Sequence, residues 1–405
     1  MTNMLLLVPM LMTVGVGGWS EQLNTEAVQR VAQMEPEVAQ AAETRPLQTS
    51  SQRDRFITVD GSDLKARLDS ALKLGRGSSS SSKFWAAYSF DVRPGVAVDA
   101  EVIDSNGSRT FIETGNVSVG GPAETRNLGV FLLYESGSSS ISRVEVYNLE
   151  RRHEYSGYQV YWLGRANNQE SLNLLNGLIE SNKATKIADH GVMALALHDD
   201  PRVGPMLENI VRTSTLERSR STAVFWLGQI GGEQAFLANL VRNEQESVEV
   251  RKQGAFALGV GKDKDALATL ESLYATVTPR EVKKQIIFAA SINQSKDEAV
   301  NFLIKVAGSD PDRELKKQSL FWLGQKAGQR SLDALGESLN SDPDTEVQKQ
   351  AVFAISQRPR DEAVPLLIKI AKTHSKAEVR KQAIFWLGQT GDERALDFFK
   401  EVLLK

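Results

Sequence analysis

The chain of 405 residues has no cysteine and only four histidines. The first absence excludes disulfides, thiolate metal ligands, cysteine nucleophiles and lipid attachment through a thiol. The second leaves metal chemistry few ligands, because His153, His190, His198 and His374 include no pair spaced as His-x-x-x-His. Charge of one sign is also missing: the formal net charge is −3, which does not describe a polyanion binder. No Gly-x-Ser-x-Gly occurs, and no glycine-rich phosphate loop follows a strand pattern. The sequence has no apolar run of membrane-spanning length. Its best candidate, Met4 to Gly18, is broken by Pro9 and is too short for a bilayer helix.

What is present is an ordinary globular composition, with 41% apolar and 24% charged residues. The length exceeds what one core serves, so several domains or a repeat array are expected. The run up to Gly18 ends in the small residues Val16 and Gly18 before Trp19. It predicts a signal peptide over 1–18 and a periplasmic or secreted protein. Residues 19–55 are polar, with two prolines, and predict a linker or frayed helix.

From residue 56 the apolar pattern has period two. Phe84–Phe90, Val96–Ile103, Thr110–Ile112, Gly129–Tyr134 and Ile141–Tyr147 alternate and are separated by Asn106-Gly107, Gly120-Gly121-Pro122 and Gly137-Ser138. These are short strands with turns between them, so a small all-β domain is expected over 56–156, with Ser78–Ser82 as a loop. Asn106-Gly-Ser108 and Asn116-Val-Ser118 fit the glycosylation sequon, a short match that matters only in a eukaryotic secretory pathway.

The rest repeats. Phe225-Trp-Leu-Gly228, Phe256-Ala-Leu-Gly259, Phe288-Ala-Ala-Ser291, Phe321-Trp-Leu-Gly324, Phe353-Ala-Ile-Ser356 and Phe385-Trp-Leu-Gly388 follow at intervals of 31, 32, 33, 32 and 32. Tyr161-Trp-Leu-Gly164 and Met193-Ala-Leu-Ala196 extend the step upstream, which predicts an array over 157–405. Each period holds two helices. Acidic starts such as Asp361-Glu362 open the first. Asp310-Pro311, Asp342-Pro343 and the capping-box spacings Thr278 to Glu281 and Ser375 to Glu378 open the second. One such hairpin cannot bury its apolar face alone, so copies must stack. About seven hairpins and a final helix are expected.

The units Glu378-Val-Arg-Lys-Gln-Ala-Ile-Phe-Trp-Leu-Gly-Gln-Thr-Gly-Asp-Glu-Arg-Ala-Leu396 and Glu249-Val-Arg-Lys-Gln-Gly-Ala-Phe-Ala-Leu-Gly259 resemble bacterial HEAT repeats, including those of phycobilisome lyases. The resemblance implies a mainly α fold, a right-handed α-solenoid, behind the β domain. It also implies that the second helices line a concave face. It names no chemistry, since such repeats serve in scaffolds, bilin lyases and DNA glycosylases.

Helical phase singles out one face of the second helices. With the Val of each unit (Val250, Val282, Val347, Val379, or Leu315) at zero, the Phe six residues on falls near 240°, away from the hairpin core. Phe256, Phe288, Phe321, Phe353 and Phe385 therefore share a stripe with Gln253, Gln285, Gln318, Gln350 and Gln382, near 300°. Amides that donate and accept, beside apolar rings, fit a protein or extended peptide partner. Mutual packing of the rings is the equally weighted bland reading. Lys252, Lys284, Lys317, Lys349 and Lys381 each follow a Glu by three residues, so solvated ion pairs are expected over phosphate contacts, and no nucleic acid partner. His190 and His198, near Asp189, Asp199 and Asp200, are the best enzyme candidates, and such histidines are more often structural. The sequence thus predicts a non-enzymatic binding or scaffold protein with no catalytic, metal or cofactor site. The alternative is an enzyme on a HEAT scaffold, such as a bilin lyase.

Overall fold

A computed structural model describes residues 56–77, 82–98, 101–103, 109–111, 117–119, 125–137, 140–151, 153–181 and 186–404. The signal peptide, the linker, the Asn106 sequon, Asn116 of the second sequon and nearly all of the serine loop lie outside the described residues. The chain divides into two compact units, Met1–Ala223 and Val224–Lys405. Among the described residues no helix is long and apolar enough to cross a membrane.

In the first unit, period-two segments form strands β1 (Ile57–Thr58), β2 (Lys83–Ser89), β3 (Val96–Val98), β4 (Glu101–Ile103), β5 (Arg109–Phe111), β6 (Val117–Val119), β7 (Leu128–Glu135), β8 (Ile141–Asn148) and β9 (Gln159–Arg165). Five make one mixed sheet in the order β1-β9-β2-β7-β8, with β9 parallel to both β1 and β2. Strands β3 and β6 pair antiparallel, as do β4 and β5. Central strands β2 and β7 read as near-continuous apolar runs because both faces are covered. One face holds a cluster of Trp85, Phe131, Tyr147, Tyr155 and Val160. The Trp85 indole N–H donates to the Tyr155 carbonyl at 2.9 Å, which satisfies its polar atom inside that cluster.

Two expectations fail in this unit. Tyr161–Gly164 do not begin a repeat but lie in β9, where Tyr161 pairs with Ile57 and Ala86. The tetrapeptide matches the repeat, yet the flanking residues alternate at period two, and Gly164 adopts φ +78°, outside any helix. The β region also contains a helix, α1 (Leu64–Gly77), whose buried Leu64, Leu68, Ala71 and Gly75 sit at helical spacing. The strand pattern on either side obscured it. Helices α2 (Asn168–Ser181), α3 (Lys186–Ala196) and α4 (Val203–Thr213) complete the unit. Strand β8 packs against α3.

Helix α5 (Glu217–Ile230) runs across the division. The second unit continues with α6 (Gln234–Arg242), α7 (Val248–Val260), α8 (Ala266–Thr276), α9 (Arg280–Ile292), α10 (Lys296–Ser309), α11 (Arg313–Gly324), α12 (Gln329–Ser341), α13 (Thr345–Ser356), α14 (Arg360–Thr373), α15 (Ala377–Thr390) and α16 (Glu393–Leu403). From α2 to α15 this gives seven helical pairs, followed by α16, and no strand among the described residues after Arg165.

Within the second unit the second helices of the pairs, α7, α9, α11, α13 and α15, pack side by side as one layer, each also packed on its own first helix. In α7, α9, α11 and α13 the Val or Leu at the reference position and the residues four, five and eight further on are buried between the layers, as in Val347, Ala351, Val352 and Ile355; in α15 Val379, Ala383 and Leu387 are buried. Where a small residue must close the helix, the reason is a neighbour. A Cβ on Gly228, Gly259 or Gly324 would lie 2.5, 2.6 or 2.7 Å from the carbonyl oxygen of Ala257, Ala289 or Ala354 in the next second helix. Loop side chains reach back one repeat to helix-end carbonyls: Asn293 to Gly259, Lys326 to Ser291, and Arg358 to Lys326. Amide and cationic donors at a helix C-terminus satisfy its free carbonyls and suit its dipole.

The caps differ from the sequence reading. Asp310 and Asp342 do not cap; their carboxylates accept from the backbone N–H of Asp312 and Asp344 at 2.8 and 2.9 Å, folding the Asp-Pro-Asp turn. Asp312 and Asp344 are the N-caps, accepting from Glu314 and Glu346 at 2.8 Å. Thr278 and Ser375 form no capping box, because the helices begin after Pro279 and Lys376 with no side-chain cap.

Candidate binding face

The predicted stripe is a ladder of aromatic rings. Phe225 stacks on Phe256 at 6.4 Å between centroids, and Phe256 on Phe288 at 6.0 Å, within 16° and 6° of parallel. Phe288 then meets Trp322 at 5.2 Å, and Trp322 touches Phe321 at 4.9 Å. The ladder resumes as Phe321 on Phe353 at 6.3 Å, Phe353 on Trp386 at 5.0 Å, and Trp386 on Phe385 at 5.1 Å. Eight rings from six second helices are linked without a break.

The step type follows from one residue. Where Ala follows the Phe of the next repeat (Ala257, Ala289, Ala354), the helices close to backbone contact at a preceding Gly and Phe stacks directly on Phe. Where Trp follows (Trp322, Trp386), the preceding repeat ends in Ser291 or Ser356 in place of Gly and the indole fills the step. One residue beyond the Phe, helical phase puts these indoles near 340°, at the edge of the hairpin core. The alternation of Gly before Ala with Ser before Trp was the signal for their place in the ladder.

Phe225, Phe256, Phe288, Phe321 and Phe353 are half-buried: each seals against its neighbours and keeps part of its ring accessible. Phe385 is exposed. Gln253, Gln285, Gln318, Gln350 and Gln382 are all half-buried beside the ladder, and Gln253 donates to Glu249 at 3.4 Å. The structure thus brings all ten predicted residues to one helix layer. The indole N–H groups of Trp322 and Trp386 are buried and have no acceptor among the described residues.

The lysine row is neutralised locally. Lys252, Lys284, Lys317 and Lys349 lie 2.8, 3.3, 3.3 and 3.0 Å from Glu249, Glu281, Glu314 and Glu346. Such exposed pairs add little stability, but they remove the uncompensated positive charge that phosphate binding requires.

The two histidines are separate. His198 is fully buried and stacked on Phe90 at 4.1 Å. Its Nδ1–H donates to the Ala194 carbonyl at 2.9 Å, which leaves Nε2 to accept from the Ser171 hydroxyl at 2.7 Å, and Tyr88 joins Ser171 at 3.0 Å. Burial holds its pKa down at about 4. Buried Tyr88, Ser171 and His198 thus tie β2, α2 and the end of α3, with no opening for a substrate. His190 faces the Val144 carbonyl at 2.7 Å on β8. Among the described residues no three His, Asp or Glu side chains are grouped to hold a metal.

These paired helices, with glycine at each close approach and a 32-residue step, are a HEAT-type array. Residues 332–405 match the family of HEAT repeats. That match spans α12 to α16. No curated protein matches the sequence. Among solved structures, human deoxyhypusine hydroxylase in complex with glycerol aligns over 58% of this chain and 90% of its own at 14% identity and a TM-score of 0.30. The Mot1 N-terminal domain in complex with TBP aligns over 54% and 34% at 16% identity and a TM-score of 0.31. The complex of CpcE and CpcF of phycocyanin lyase from Nostoc sp. PCC7120 aligns over 50% and 82% at 19% identity and a TM-score of 0.28.

Proposed function

We propose that this HEAT-repeat chain is a non-enzymatic, exported binding protein that holds a protein or extended peptide partner on the aromatic and amide face of α7 to α15. The observation that carries this reading is the half-burial of the ladder. A purely structural seam is served by fully enclosed aliphatic side chains, whereas this one keeps ring area and five Gln side chains at one surface. Amides there pair with backbone groups of any sequence, and rings supply apolar area at low entropic cost. The Glu–Lys pairs speak for a protein partner and against a nucleic acid.

Affinity capture from the native envelope fraction tests this, with wild type beside Gln318→Ala/Gln350→Ala/Gln382→Ala. These Gln substitutions touch no buried core, so the melting temperature should hold within about what surface changes allow, 0.5 kcal/mol each. A partner retained by wild type and lost by the variant supports the reading. Equal retention by both removes this face from function.

A further inference from the structure

The first helices of neighbouring repeats meet through side chains that recur at fixed positions, and one step of the array lacks its two large ones. Between α8 and α10, Tyr274 packs edge-on against Phe302 at 5.3 Å between centroids. Its hydroxyl donates to the Asp310 carboxylate at 2.6 Å, and the Lys283 ammonium sits over its ring at 4.9 Å from the centroid. The closing turns align the repeats, because the backbone N–H groups of Val277, Asp310 and Asp342 donate to the carbonyls of Leu273, Val306 and Ser338. Between α10 and α12 the same positions therefore hold Ala307 for Tyr274 and Ala334 for Phe302, while Lys316 and Asp342 repeat Lys283 and Asp310. One step further the pair is large again, as Leu339 and Leu366. Two methyl groups in the place of two rings leave a cleft of about 440 Å³, lined by Ile304, Ala307, Lys316, Ala334, Ser338 and Asp342 among others.

We infer that this cleft binds a phenolic ring, which takes the space of the missing side chains and donates its hydroxyl to Asp342. The polar floor is kept although no ring of the chain uses it. Lys316 pairs with Asp342 at 2.7 Å, with side chains only 16% and 5% exposed. Burial of such a pair costs desolvation that the mutual attraction repays only in part, so a step closed by packing alone has no need of it. The next step is of that kind: beside Leu339 and Leu366 it carries Gln348 and His374 at the positions of Lys316 and Asp342. Asp342 has room for a further donor. Its Oδ1 accepts from the Asp344 N–H and its Oδ2 from Lys316, whereas a carboxylate offers about four lone pairs. Ser338 is 8% exposed and stands where Val306 and Ile370 serve the flanking first helices, and among the described residues its hydroxyl has no partner. The volume falls in the range of small-molecule sites, roughly 300 to 1,000 Å³. The cleft opens between first helices, so the inference is independent of the ladder on the second helices.

Calorimetric titration of the full chain with p-cresol, the tyrosine side chain as a free molecule, tests this. Wild type should bind p-cresol saturably and toluene about tenfold more weakly or worse, the effect of one hydrogen bond to a charged acceptor. Ala307→Tyr restores the internal phenol and should abolish p-cresol binding with an undiminished melting temperature. Ala334→Phe fills the cleft from the facing helix and gives the same readout if the tyrosine variant misfolds. N-acetyltyrosinamide separates two sources of the ring: affinity equal to that of p-cresol assigns the tyrosine side chain of a polypeptide, and weaker binding assigns a free phenol. The inference is overturned by the absence of saturable p-cresol binding, by toluene binding as tightly, or by a folded Ala307→Tyr that binds p-cresol as wild type does.

Discussion

At the scale of single residues, two glycines of identical sequence context have opposite roles. Gly324 sits 2.7 Å, measured from an added Cβ, from the Ala354 carbonyl, so Gly324→Ala forces α11 and α13 apart and should destabilise by about 1 to 3 kcal/mol in urea melts, as overpacking does. Gly388→Ala adds its methyl to free space within the chain and should stabilise α15 by about 0.5 to 1 kcal/mol, the helix-propensity gain, in the same melts. His198 is a pH-sensitive residue of the first unit. Its folded pKa of about 4 lies below the ordinary histidine value of about 6.5, so the unfolded state binds the extra proton between these limits. Stability should hold above about pH 6.5 and fall by about 3 kcal/mol as pH drops toward 4. Thermal melts of His198→Asn across that range should lose this pH dependence; an unchanged slope would assign it to other groups.

At the scale of elements, each second helix is fixed by an inward stripe, a cap and a loop tether. Leu323 and Leu387 lie on the inward stripe and are buried, so Leu323→Ala and Leu387→Ala should each cost about 2 to 5 kcal/mol through a cavity, read from denaturant midpoints. Asp344→Ala removes a carboxylate that accepts from Glu346 and should cost about 1 kcal/mol, whereas Thr278→Ala, which caps nothing, should cost less than half of that. Reversal of that order would restore the capping box expected from the sequence.

At the scale of the whole molecule, the two units differ in how their contacts are spread along the chain. The second is built from neighbours in sequence, each helix pair touching the next, while the first joins β1 to β9 across about a hundred residues of chain. The proposed export rests on the apolar run before Trp19. N-terminal sequencing of protein recovered from an envelope or secreted fraction should begin at Trp19 or Ser20. Recovery of intact Met1 from the cytosol would remove the exported assignment.

The sequence by itself determined the second unit, because a 32-residue period repeats its own evidence: Phe recurs with each copy, Gly and the Glu–Lys spacing with most, and local helical phase is enough to assign the stripe. It also marked the strands of the first unit, where alternation is a local signal. It did not mark α1, nor the place of Tyr161–Gly164 in β9, because pairing of β9 with β1 and β2 is a long-range choice that no window around residue 161 contains. The cap shift from Asp310 to Asp312 was equally hidden, since both carboxylates precede the same helix and only the turn geometry selects one. Phase gave the direction of each Phe, but whether a ring meets Phe or Trp depends on the closeness of the neighbouring helix, set by Gly against Ala, and that distance exists only in the packed array.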